Sequence, residues 1–275
     1  MRTGAGMSRG LLVVLALCVL AGCSKLSFVR QDTSRGEFTR TSPEVELRGS
    51  DREGALALQL ALREGQDALR AGDLDAAAKA AREALRHGER SPGAHTLAAL
   101  VADRRGDSRT AGSHYRRAVE LAPTQGGMHN NFGTWLCTNG REAESLQWFE
   151  SAASIPGYGN AAGALANAGE CAQRAGMDEE AVRYLEAALE RDPATPGALA
   201  ALAEREYRAG NHMRARAFVQ RRLDAAPADA STLLLASQIE TSLGDSRAAA
   251  GYVRRMREEF PGAVPDSIKG NEDQP

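Results

Sequence analysis

Aromatic side chains are scarce in this sequence, 5% of 275 residues with only two Trp, and neither sign of charge dominates. Thirty-four Lys and Arg against 36 Asp and Glu leave a formal net charge of -2, which argues against a nucleic-acid partner because a phosphate backbone demands a basic excess. The Arg pairs Arg104-Arg105, Arg116-Arg117, Arg221-Arg222 and Arg254-Arg255 stand beside acidic residues and read as solvated faces. The five His (His87, His95, His114, His129, His212) are scattered singly, with no His-Glu-x-x-His arrangement. A Gly-rich phosphate loop and a Gly-x-Ser-x-Gly elbow are both missing. The Glu179-Glu180 run opens a helix, where negative charge complements the N-terminus. No metal, no cofactor and no catalytic residue are expected, and the chain is read as a binding protein rather than an enzyme.

What the chain does contain is a period. Gly72, Gly106, Gly140, Gly176, Gly210 and Gly244 recur at spacings of 34, 34, 36, 34 and 34. Four of them are followed seventeen residues later by Pro123, Pro193, Pro227 and Pro261, and Gly140 by Pro156 after sixteen. The pattern predicts units of helix, Gly turn, helix and Pro stop. Five residues after each Gly come Ala77, Ala111, Ser145, Ala181, Ala215 and Ala249, and seven before it Gly65, Ala99, Gly133, Gly169, Ala203 and Ser237. These two columns of small side chains predict close contact between paired helices. Nine residues after the Gly, Ala81, Tyr115, Phe149, Leu185, Val219 and Val253 form a mostly large apolar stripe on the second helix.

This Gly/Ala, Ala, Tyr/Phe, Ala, Pro pattern resembles the tetratricopeptide repeat (TPR), which implies an all-α, right-handed superhelix of about six helix-turn-helix repeats, at 58–91, 92–125, 126–159, 162–195, 196–229 and 230–263. The first unit departs from the pattern at Ala81 and at Glu89, where Pro is expected, and the sixth has Met256 in a small-residue position. Terminal units meet a neighbour on one side only, so departures belong there.

Residues 1–22 read as an export signal: Arg2 and Arg9 precede an apolar stretch, Leu11 to Leu20, too short to span a bilayer. Leu20-Ala21-Gly22-Cys23 resembles the bacterial lipobox, which implies that Cys23 carries lipid and begins the mature chain. Ser24, in place of a retention-favouring Asp, implies the outer membrane, with the chain facing the periplasm. Residues 23–52 are expected to form a flexible tether, 53–263 the repeat domain and 264–275 a disordered tail.

Cys18 leaves with the signal, so Cys137 and Cys171 remain, on the first helices of consecutive units. In an oxidising compartment a disulfide between them is the preferred reading; two buried free thiols are the alternative.

The stretch Asn130-Asn131-Phe132-Gly133-Thr134-Trp135-Leu136-Cys137-Thr138-Asn139-Gly140-Arg141 resembles the Asn-Asn-Tyr-Gly-x-Phe-Leu-Cys-x-x-Gly segment of the PilF/PilW family, and Asn167-Ala168-Gly169-Glu170-Cys171-Ala172 its next-repeat counterpart. The resemblance implies an outer-membrane lipoprotein of type IV pilus biogenesis, a pilotin that binds the secretin subunit and promotes its localisation and multimerisation, or a pilus-stability factor. The alternative is a TPR lipoprotein scaffold for cell-wall synthesis or outer-membrane assembly. In a TPR superhelix the first helices line the inner face, at positions two, five, nine, twelve and thirteen of each unit. Candidate partner-binding residues are therefore Gln59, Leu62, Gln66, Leu69, Asn130 and Thr134, with Leu62 and Leu69 either a groove for an apolar segment or packing residues.

Replacing Cys23 with Ser is expected to release the protein from membranes, since stable attachment needs acyl chains whose buried methylenes contribute about 0.8 kcal/mol each. Membrane fractionation reads this, and a Cys23→Ser chain that stays with the outer membrane at high salt would refute lipid anchoring.

Overall fold

The structure, a computed structural model, describes residues 49–263; the signal segment, Cys23, the tether to residue 48 and the tail 264–275 lie outside the described residues. Twelve α-helices follow one another: α1 (Gly49–Ala71), α2 (Leu74–His87), α3 (Pro92–Arg104), α4 (Ser108–Leu121), α5 (Gly126–Thr138), α6 (Glu142–Ser154), α7 (Ala161–Arg174), α8 (Asp178–Arg191), α9 (Pro196–Arg208), α10 (His212–Ala225), α11 (Ala230–Ser242) and α12 (Ser246–Glu259), closed by a 3-10 turn at Pro261–Ala263. No strand occurs among the described residues. The helices pair as six units, and each first helix also touches the first helix of the next unit. Because α1 starts at Gly49, residues 49–52, expected in the tether, are helical.

Each unit turns at its glycine. All six repeat glycines have φ between 72° and 82°, the left-handed region that a Cβ disfavours by roughly 1–2 kcal/mol. The residue after each one donates its N–H to the carbonyl five positions back, as Asp107 does to Ala102 at 2.9 Å and Asn211 to Glu206 at 2.8 Å. That bond satisfies a carbonyl the helix end would otherwise leave open. Asp73, Asp107 and Asp245 then cap the second helix with their side chains.

The small columns meet where the helices cross. Ala77, Ala111, Ser145, Ala181 and Ala215 have no exposed surface. A Cβ on Gly133 would lie 3.0 Å from the Phe149 ring, and one on Gly169 2.6 Å from Leu185, so large second-helix residues sit directly on first-helix glycines. In the first unit Ala81 offers no such bulk, and the methyls of Leu97, from α3, occupy the space over Gly65 instead. At the other end Val253 is only half-buried, while Met256 is 1% exposed and carries the packing of the last unit.

Two readings need correction. Arg222, taken as solvated, is 9% exposed and stands where other units place Ala84, Ala118, Ala152 and Ala188. Its guanidinium donates to the carbonyls of Ala226 and Pro227 and pairs with Asp229 at 2.7 Å, tying the fifth unit to the sixth. The histidines are not all solitary, since the Nδ1 atoms of His95 and His114 lie 2.9 Å apart. His95 Nε2 is 2.9 Å from the Glu89 carbonyl, which only accepts, so that nitrogen carries the proton; His114 Nδ1–H therefore donates to His95 Nδ1.

Cys137 of α5 and Cys171 of α7 are disulfide-bonded, with Cα atoms 5.9 Å apart, inside the usual range. Removing this bond by Cys137→Ala/Cys171→Ala is expected to cost about 2–4 kcal/mol, the entropy of a closed loop of this size, read by urea unfolding. Burial, then His95, lowers the His114 pKa from its ordinary value. A depressed base is protonated more readily in the unfolded chain, so its contribution is complete above that ordinary value and declines as pH falls through and below it. His114→Phe is expected to flatten the fall in melting temperature between roughly pH 7 and pH 5; an unchanged slope would remove the pair as its cause.

Candidate functional site

Along each first helix, the positions thirteen, ten, nine, six and two before the turn glycine share one side, since their angular positions at 100° per residue cluster. In α5 they are Gly127, Asn130, Asn131, Thr134 and Thr138; in α7 the same register brings Asn167, Glu170 and Arg174 and in α9 Glu204 and Arg208. The contact of successive first helices sets these rows side by side.

The central rows are held by an amide. Asn130 Oδ1 accepts from Asn167 Nδ2 at 3.0 Å, so Asn130 bridges adjacent units. Thr134 is exposed and its hydroxyl donates to the Asn130 main-chain carbonyl at 2.9 Å, leaving lone pairs directed outward. Asn131 is half-buried, and among the described residues its amide makes no hydrogen bond. Its two donors and one acceptor are free for a polypeptide backbone.

The next rows are charged. A cleft of about 450 Å³ is floored by Ala200 and Ala201 and edged by Glu170, Arg174, Glu204 and Arg208. Glu204 pairs with Arg208 at 3.4 Å, and Arg174 turns to Glu142 at 3.6 Å and to Cys137 Sγ at 3.6 Å. Glu170 is in no ion pair among the described residues; one of its carboxylate oxygens would lie 3.3 Å from a Cβ on Gly197, a space the glycine leaves open. Loss of solvation on this crowded face, then the Glu204 charge, raises its carboxyl pKa, with Arg174 opposing. Sequence reasoning passed over this cleft, although the register that singled out Asn130 and Thr134 leads to Glu170 and Glu204 in the following units.

The first-unit candidates divide. Gln59 and Gln66 are exposed on α1. Leu62 and Leu69 are half-buried against the cluster around Ala61, Ala77 and Leu97, and Leu62 would touch a Cβ on Gly93 at 3.5 Å. Leu62 thus packs α1 on the second unit, Leu69 joins the same apolar cluster, and the exposed large apolar residues of α1 are Leu56 and Leu60. Asn130 and Thr134 lie together in the third unit and are not brought into contact with the first.

Family models of the tetratricopeptide repeat match residues 62–126 and 162–195. The fold is similar to the crystal structure of PilW, described as a widely conserved type IV pilus biogenesis factor, with a TM-score of 0.65 and 25% identity over 79% of this chain and 97% of that one. It is also similar to pilF of Pseudomonas aeruginosa, with a TM-score of 0.64 and 22% identity over 76% of this chain and 95% of that one. An uncharacterized protein of Haemophilus influenzae is 34% identical over 93 residues, 34% of this chain; the match spans about half, 52%, of that relative's length. The chain carries tetratricopeptide repeats, and PilW and PilF are its structural neighbours.

Proposed function

We propose that this tetratricopeptide-repeat protein is a lipid-anchored outer-membrane factor of type IV pilus biogenesis that binds the secretin subunit from the periplasmic side. It promotes the localisation and multimerisation of that subunit, or pilus stability. The observation that carries this reading is the end-to-end likeness to PilW, which takes in 97% of that chain and so matches the whole array rather than one repeat. The lipobox-like Leu20-Ala21-Gly22-Cys23 and the following Ser24 support the location. The bonded Cys137 and Cys171 support an oxidising compartment.

The first-helix face suits recognition and not turnover. Asn131 presents an unpaired amide beside the Asn130–Asn167 bridge, and Glu170 presents an unpaired carboxylate further along. Amides spaced along a groove hold an extended main chain, and one uncompensated charge sets its register.

Deletion of the gene is expected to reduce twitching motility and surface pili, with secretin multimers diminished or misplaced in fractionated envelopes. Full-length protein should capture secretin from detergent-solubilised envelope. Normal pili and normal secretin multimers in the deletion strain would reject this function in favour of a scaffold for cell-wall synthesis or outer-membrane assembly.

A further inference from the structure

Behind the first helices, the second helices border the inter-unit grooves. Eight residues after the turn glycines stand His114, Trp148, Tyr184, Phe218 and Tyr252, a column of rings over successive grooves. Three of these grooves are crossed by a contact at or beside the ring column. His114 instead meets His95 within its own unit, the second. In the third, Trp135 lies on Gly112 and Trp148 packs edge-on against Phe132, 4.8 Å between centroids. The Tyr184 hydroxyl donates to Glu150 across the next groove, and Arg216 reaches Glu240 at 3.0 Å across the last.

Between the fourth and fifth units the ring is Phe218, which has no polar group to anchor. A cleft of about 600 Å³ remains there, with an apolar track of Val182, Leu189, Leu202 and Phe218. One wall carries Glu186 and Glu190, a turn apart on α8, exposed, and in no ion pair among the described residues. Like charges at this spacing repel in the free protein. The opposite wall carries Arg214 and Arg221 of α10, Arg214 held by the buried Glu206 at 3.4 Å and Arg221 by the Pro193 carbonyl at 2.9 Å.

We propose that this groove docks an amphipathic α-helix of the partner, with a basic residue on the flank facing Glu186 and Glu190 and an acidic one facing Arg214 and Arg221. The walls are helices whose main-chain groups are already bonded, so an extended segment would find no ladder, whereas a helix satisfies its own backbone. Val182 and Leu189 are seven residues apart on α8, about 10 Å, the spacing of positions i and i+7 on an incoming helix. The unpaired glutamates and the polarised walls fix its direction by charge complementarity. The inference rests on the pilus-biogenesis reading, the helix being a segment of the secretin subunit.

The test compares full-length lipoprotein with a Glu186→Arg/Glu190→Arg variant and, separately, an Asn131→Asp variant, each used to capture secretin from detergent-solubilised envelope. Both glutamates are exposed, so circular dichroism and the melting temperature should be unchanged. Capture is expected to fall on the order of tenfold in the double-arginine variant, and a photo-crosslinker at Glu186 should label the secretin. Undiminished capture by a folded double variant, with no crosslink from residue 186, would overturn the groove while leaving the functional reading intact. If the wild-type chain captures no secretin at all, that reading falls and this assignment with it.

Discussion

Two helices can pack at backbone distance only where neither carries a side chain in the way, and a chain can return to make that contact only through a turn that inverts its direction within two or three residues. In this protein both demands converge on one residue per unit. The turn glycines, with φ near 75°, end the first helix by the left-handed route and launch the second at a fixed angle. That angle brings the small residue seven positions before the turn beneath the second helix, where Phe149 rests on Gly133 and Leu185, with the Ala181 carbonyl beside it, on Gly169. Every other register in the array follows from this crossing, because once it is set the faces of both helices are determined for the whole unit. The concave row at Asn130 and Asn131 and the convex ring column at Trp148 and Phe218 are two readings of the same register.

The last two units reach their stability by a different route from the first four. Where earlier first helices bury Ala102, Leu136 or Ala172, the fifth and sixth bury Glu206 and Glu240, each 2% exposed. Placing a carboxylate there costs solvation that is recovered only if its oxygens are partnered. Glu206 receives Asn211 at 2.8 Å along with Arg205 and Arg214, while Glu240 receives Arg216 on one oxygen and, among the described residues, leaves the other without a hydrogen bond. Arg222, replacing the small residue of its column, joins this set through Asp229. Such pairs contribute less to stability than apolar packing would; those of Glu206 lie within the fifth unit, whereas Arg216–Glu240 joins the fifth unit to the sixth.

Features that depend on the backbone of a single unit were legible in the sequence: the six turns, the two small columns and the second-helix bulk each repeat at a fixed offset, so six copies speak for one geometry. Features that depend on what lies across an interface were not. Arg222 looked solvated because its neighbours in sequence are polar, yet the loop carbonyls of Ala226 and Pro227 close over it. His95 and His114 looked isolated because nineteen residues separate them, and only the pairing of α3 with α4 joins the rings. Leu62 and Leu69 matched inward positions, and both are half-buried against the apolar cluster around Ala61, Ala77 and Leu97, a contact that the spacing along α1 alone does not announce. Glu186 and Glu190, in no ion pair among the described residues, carry no periodic signal, since the cleft they border depends on Leu202 and Phe218 of the next unit.

A binding surface built from stacked units loses affinity whenever its units shift against one another, because ordering them then adds to the cost of association. The third and fourth units are joined covalently through Cys137 and Cys171 and again by the Asn130–Asn167 amide bond, both between α5 and α7. Glu170 lies on α7 one residue before Cys171, at the edge of the charged cleft, and Arg174, one turn further on, reaches back to Cys137 and Glu142. The same α7 packs against α8, whose outer side carries Val182, Glu186 and Leu189. The covalent link therefore fixes α7 against α5 at the inner face, and through α7 it restrains α8, the helix that forms one wall of the outer groove.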